Sequence, residues 1–192
     1  MIGEAGLLRE VEDGYRRGCR ELVLSGGEPT LCLDTLHDVM RRADEVGYQK
    51  YIIQTNGSGF ADCADLAPMI GEFARKADVA VSFSIHGHTA QIHDEMSRTP
   101  GAFEKLMCAI HRVWAEGSCS IYTNTVMSRT NLPWLRDLAL MLLPFQPEIM
   151  QFSMMHLKQP GPLSTGLLEA ASAVRALGGI VDLSILRTEG IP

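Results

Sequence analysis

ELVLSGGEPTLCLDTLHDVMRRADEVGYQKYIIQTNG, residues 21–57, contains one complete strand–helix–strand unit. The apolar run ELVLSG (21–26) reads as a strand and YIIQTNG (51–57) as a second. Between them LDTLHDVMRRADEVG (33–47) repeats its apolar residues every three or four positions, the period of an amphipathic helix, and reaches a stop at Gly47. The same unit recurs down the chain. Further strands are expected at VAVSFSI (79–85), CSIYTNTV (119–126), EIMQFSMM (148–155) and IVDLSIL (180–186). Helical patterns alternate with them: ADLAPMIGEFARKA, GAFEKLMCAIHRVWAEG, LPWLRDLALMLL and STGLLEAASAVRALGG. A spacing of about 30 residues per unit is the signature of parallel strands joined by crossover helices.

Two folds satisfy that pattern, an open doubly wound sheet and a barrel. A full eight-fold barrel takes roughly 250 residues. A chain of 192 residues has room for about six units, so the expected fold is α/β, a partial (β/α)6 TIM-like barrel with parallel strands. The chain opens on a helix, GLLREVEDGYRRG, with no strand before it. The first strand is therefore expected to be missing, and residues 1–192 are read as one domain, a fragment of a longer protein.

Composition narrows the function. The chain is 46% hydrophobic, enough for a sizeable core. A net charge of −6 argues against a nucleic-acid partner. No apolar run approaches the roughly 20 residues of a membrane span, and acidic residues stand where a signal peptide would be apolar. A cytoplasmic protein is expected. The five cysteines, Cys19, Cys32, Cys63, Cys108 and Cys119, form no C-x2-C or C-x3-C pair, so neither a disulfide framework nor a local metal knuckle is read from them. Trp114 and Trp134 fall on helices and read as core.

In either α/β fold, ligands bind at the C-terminal ends of the strands. Those ends are SGGEPT, QTNGSG, SFSIHGH, TNTVMS and FSMMHLK, rich in Ser, Thr, Asn, Gly and His. Alternation along the third strand puts Ser82, Ser84 and His86 on one face and Val81, Phe83 and Ile85 on the other. In SGGEPT, Gly26 and Gly27 allow backbone angles closed to other residues and remove side chains that would block a ligand. Glu28 adds an anionic acceptor, which suits an ammonium and would repel a phosphate. Pro29 stiffens the exit. An amine-bearing small ligand is favoured; a plain strand-to-helix turn is the rival. His86, His88 and His93 form H-x-H-x4-H, which reads either as a polar loop over the barrel mouth or as the metal site of a hydrolase.

SGGEPTL after an apolar strand resembles the GGE motif of the radical S-adenosylmethionine (radical SAM) superfamily. IIQTNG resembles that family's third-strand end. VSFSIHGHTAQIHDEMSRTPGAFEKLMCAIHRV resembles its fourth strand, loop and helix, IYTNTVMSRTN its fifth strand and QFSMMHL its sixth. The resemblance implies a barrel that binds SAM and a [4Fe–4S] cluster, makes a 5′-deoxyadenosyl radical and abstracts hydrogen from a small-molecule or peptide substrate. It also implies an electron donor such as flavodoxin or ferredoxin. By the same resemblance Gly26, Gly27 and Glu28 hold the methionyl amino group, Ser84 meets the ribose or carboxylate, and Pro29 and His86 count among the cofactor-binding residues. Asn124 does similar polar work, and the backbone at Met154 and Met155 meets the adenine. Thr55 and Asn56 lie at the mouth, with either a site role or a turn role. The family's C-x3-C-x2-C cluster loop has no counterpart among the five cysteines. It is expected in the missing N-terminal segment. The alternative is a degenerate barrel that binds SAM or a partner without catalysis.

Overall fold

The computed structural model describes residues 3–154, 166–179 and 186–189. Its centre is a six-stranded sheet, β1 (Glu21–Leu24), β2 (Lys50–Thr55), β3 (Asp78–Ser84), β4 (Ser120–Met127), β5 (Ile149–Met154) and β6 (Leu186–Glu189). Spatial order equals chain order, and every neighbouring pair is parallel. A doubly wound sheet reverses its order at a switch point. Unbroken sequential order instead sends every crossover the same way round, so helices cover one face and the other stays concave. This is the partial-barrel arrangement. Among the described residues β1 and β6 each have a single strand neighbour, so the barrel is not closed.

The helices are α1 (Glu4–Arg16), α2 (Leu33–Val46), α3 (Ser58–Asp62), α4 (Leu66–Ala74), α5 (Ala90–Ser97), α6 (Ala102–Glu116), α7 (Leu135–Leu142) and α8 (Leu167–Ala176). On α2 the buried residues are Leu36, Val39, Met40 and Ala43, one helical stripe, and Gly47 ends the helix with φ of 103°. On α6 the stripe is Leu106, Ala109, Ile110 and Val113. These stripes pack on the helix-facing side of the strands, where Tyr51, Ile53, Val81, Phe83 and Ile121 are buried. The β3 alternation follows the sequence expectation. Val81, Phe83 and Ile85 lie in the core, while Ser82 and Ser84 stay half-buried on the concave face.

Several local readings are corrected. α3 is a short helix inside a stretch read as a strand end. LPWLRDLALMLL does not start as an α-helix: Leu132–Trp134 is a 3-10 turn with proline in its first positions, and α7 follows. The last described strand is Leu186–Glu189; of the predicted 180–186 only Leu186 is described and it is in that strand, while residues 180–185, like Met155, lie outside the described residues. Trp114 and Trp134 are not core. They are 49% and 45% exposed, because each sits off the buried stripe of its helical segment. Among the described residues no helix is long and apolar enough to cross a membrane.

Candidate functional site

The β1 strand ends at Leu24, and the chain then turns on Gly26 (φ 96°) and Gly27 (φ 59°). Both angles lie in the left-handed region, and a Cβ on either glycine would point into open space. The turn therefore presents bare backbone at the strand tip. Glu28 follows in extended conformation and caps the 3-10 turn Pro29–Leu31. Its carboxylate is held from three sides. Oε1 accepts from the Thr30 amide at 3.2 Å, the Thr30 hydroxyl at 2.6 Å and the Thr55 hydroxyl at 2.6 Å. Oε2 accepts from the Asn56 amide at 2.7 Å. Thr55 in turn accepts the Gly57 amide at 2.9 Å.

Every one of these donors is neutral, and among the described residues Glu28 has no basic partner. The carboxylate is fixed in direction, and Oε2 retains acceptor capacity. That combination suits an incoming ammonium. The pocket beside it, about 160 Å³, is lined by Gly26, Gly27, Glu28, Gln54, Asn56 and Ser84 among others. Thr55 and Asn56, read as either site or turn residues, thus do both: they shape the turn into α3 and orient Glu28.

A second cleft of about 520 Å³ adjoins the first and shares Asn56 and Ser84 with it. Its far wall is His86, His93, the loop from Ser97 to Gly101 and Lys105. The lining contains no carboxylate, and Lys105 is its one formal charge. Lys105 is paired to Asp62 of α3 at 2.8 and 2.9 Å, an exposed bridge that exchanges readily. Across the sheet, Ser84 is in register with Asn124, and Asn124 with Gln151, giving a polar row on the concave face. Asn124 accepts from the Ser153 hydroxyl at 3.0 Å. Met154 ends β5, half-buried, at the same rim.

The histidines do not assemble as metal ligands. The His86 Nδ1 accepts the Val126 amide at 3.3 Å, and the His93 Nδ1 accepts the His86 amide at 3.1 Å. His88 stands apart against Trp134, ring centroids 5.6 Å apart. Among the described residues no three His, Cys, Asp or Glu side chains converge to hold a metal ion. Burial, reinforced by repulsion from His93, pushes His86 down to about 4. Burial lowers His93 as well. Asp94, next along α5, accepts the Gly101 and Phe103 amides at 2.6 and 2.8 Å. These bonds, that from Phe103 foremost, hold its carboxyl below the usual range.

Some of these participants were not foreseen in the sequence. Thr30 and Gly59 carry the Glu28 clamp from opposite sides: a Cβ on Gly59 would fall inside the contact distance of the Thr30 hydroxyl and carbonyl. The polar residue two positions after Glu28 was a usable sign of a side-chain-closed turn. Lys105 carried no such sign, since it looks like any helix-surface lysine.

A parallel, unclosed sheet in sequential order with an oriented carboxylate after its first strand tip defines a partial (β/α)-barrel scaffold. The sequence model of the Radical SAM superfamily matches residues 5–140, and the chain belongs to that superfamily. It is a family of enzymes that use SAM and a [4Fe–4S] cluster. Two curated relatives are named AdoMet-dependent heme synthase. That from Oleidesulfovibrio alaskensis is 31% identical over 61% of this chain and 28% of its own length; that from Methanosarcina barkeri is 35% identical over 58% and 30%. The matched region thus spans under a third of those relatives. Among solved structures, Streptococcus suis SuiB bound to precursor peptide SuiA superposes with a TM-score of 0.75 at 12% identity, over 97% of this chain and 42% of that one. Native anSMEcpe with bound AdoMet and Kp18Cys peptide superposes with 0.74 at 15% identity, over 98% and 55%. At such identities the likeness is one of fold.

The two cofactors of the family fit these residues unequally. The bare glycine turn and the oriented, uncompensated Glu28 fit the amino acid end of SAM. The cluster needs several thiolates in one place. The five cysteines, all unpaired, lie on separate elements and offer no such set.

Proposed function

We propose that this chain is the SAM-binding part of a radical SAM enzyme. The observation that carries the reading is Glu28, held by four neutral donors with no counter-charge beside a backbone stripped of side chains. In this arrangement Glu28 takes the methionyl ammonium through Oε2, and Gly26 and Gly27 let the ligand lie against the main chain. Ser84, shared by both clefts, meets the ligand where it passes from one to the other. Asn124 and the backbone at Met154 form the opposite rim, towards the nucleoside. Bound SAM is this family's source of a 5′-deoxyadenosyl radical, which takes a hydrogen atom from the substrate. The substrate is a small molecule or a peptide. The name shared by the curated relatives favours a heme-related small molecule, because their identity to this chain is about twice that of the peptide-bound structures. An electron donor such as flavodoxin or ferredoxin completes the reading.

The test is a pair of ligands on a pair of proteins. SAM and 5′-methylthioadenosine, which lacks the amino acid, are titrated into the 192-residue chain and its Glu28→Gln variant. Removing the charged acceptor lowers SAM affinity by roughly ten- to a hundredfold, while 5′-methylthioadenosine affinity stays put. Equal losses for both ligands would reject the assignment of Glu28 to the amine. At the level of activity, 5′-deoxyadenosine released by a protein that joins this chain to a cluster-binding C-x3-C-x2-C loop would separate an enzyme from a barrel that only binds SAM.

A further inference from the structure

The ladder between β3 and β4 ends early on one side. The last backbone bond is from the Ile85 amide to the Asn124 carbonyl, 3.0 Å, yet β4 runs on to Met127. Beyond that point side chains replace the carbonyls a strand would supply. The Val126 amide donates to the His86 Nδ1, and the His86 amide donates to the His93 Nδ1 on α5. Asn131 closes the same gap from above, its Nδ2 donating to the carbonyls of His86 and Val126, both at 2.9 Å. The two rings stack with centroids 5.7 Å apart and planes 20° apart. His93 is 3% exposed and is backed by Phe103 of α6.

A backbone amide can only donate, so each Nδ1 in this chain must be an acceptor. Both imidazoles are therefore neutral and carry their proton on Nε2. The amide–imidazole–amide arrangement ties three elements, α5, the β3 tip and β4, and the tip it ties is the wall shared by the two clefts. Ser84 stands two residues before His86, and both line the larger cleft.

We propose that His93 is a positioning residue for the ligand site: by accepting the His86 amide it holds His86 in the tautomer that accepts from Val126, and the pair together fix the β3 tip that carries Ser84. The role rests on the SAM reading of the clefts, but the relay itself does not. Asn at position 93 keeps an acceptor at the place of Nδ1; Leu keeps the bulk and removes it. The His86 amide, buried behind α5, then has no partner.

The experiment compares the wild-type chain with His93→Leu and His93→Asn in two measurements. Amide hydrogen exchange by NMR reads the relay: the His86 and Val126 amides lose protection in His93→Leu and keep it in His93→Asn, and long-range proton–nitrogen spectra of the wild type show both rings as the Nε2–H tautomer. SAM titration reads the role: affinity falls about tenfold in His93→Leu, the loss of one hydrogen bond's worth of order, and stays within about twofold in His93→Asn. A His93→Leu protein that binds SAM like the wild type, or an Asn variant that falls as far as Leu, overturns the positioning role. A wild-type chain without SAM affinity overturns the reading of the pocket and the role with it, while amide exchange still decides whether the relay exists.

Discussion

Glu28 follows the tip of β1 and His86 the tip of β3, and the two are handled in opposite ways. Glu28 is given four neutral donors, whereas His86 is buried and its Nδ1 accepts from a single amide. The consequence for His86 is a dependence of stability on pH. In the unfolded chain an imidazole binds a proton from about 6.5 downward. In the folded chain burial, and then His93, delay that proton to about 4. Between these values the unfolded state binds more protons, so stability falls on acidification and the loss is complete near the lower value. A shift of this size corresponds to about 3 kcal/mol. Urea unfolding of wild type and His86→Gln at pH 7, 5.5 and 4 checks it: the gap between the two proteins narrows by about 3 kcal/mol over the interval, since glutamine does not titrate. A gap independent of pH would show that His86 does not stay neutral in the fold. That Glu28 stands as an anionic acceptor after a bare glycine turn was legible in SGGEPT. Its clamp was not, because Thr55 and Asn56 reach it only when β1 and β2 pair, and a sequence does not show which strand tips become neighbours.

Elements explain why the clamp is stiff. β2 ends at Thr55, Gly57 turns the chain with φ of 87°, and α3 starts at once, laying Gly59 against Thr30. A five-residue helix has little helical stability of its own, so α3 persists through packing, and its apolar pattern is too short to be read beforehand. The same holds for α5. The long elements were legible, because α2 and α6 repeat their buried stripe over several turns and stop at glycines. The strand order was only half legible: the units predicted parallel pairing, and both a barrel and a doubly wound sheet satisfy that. At this scale glycine substitutions separate two kinds of constraint. Gly59→Ala forces Thr30 aside, backbone included, and costs about 1–3 kcal/mol together with a loss of SAM affinity. Gly27→Ala meets no neighbour and carries only left-handed strain, about 1 kcal/mol, yet puts a methyl into the small pocket. Thermal unfolding and SAM titration of the two variants check the contrast: Gly59→Ala is the less stable protein, and both bind SAM more weakly. Equal stability would mean that α3 yields, and that Thr30 is not pinned from behind.

On the scale of the molecule, the sequential sheet gathers every strand tip on one rim and leaves the cysteines scattered. Cys19 and Cys119 precede β1 and β4, at the opposite ends of the strands from the site. Cys32 caps α2 and Cys63 ends α3, while Cys108 lies within α6. Burial pushes the Cys119 thiol up to about 12, which makes it a poor source of thiolate. The residues proposed to face SAM, in contrast, are all tied to this chain's own strands and helices: Glu28 by Thr30, Thr55 and Asn56, and the β3 tip by His93 and Asn131. On that proposal two parts of the family's chemistry are separable here, since none of these ties involves a thiolate. The 192-residue chain, treated anaerobically with ferrous iron and sulfide, is therefore expected to gain no iron–sulfur absorbance and to bind SAM equally well before and after treatment. Replacing all five cysteines by serine should leave that affinity unchanged within about twofold. A cluster assembled on these cysteines, or a SAM affinity that collapses with them, would mean that the strand tips do not organise the cradle alone.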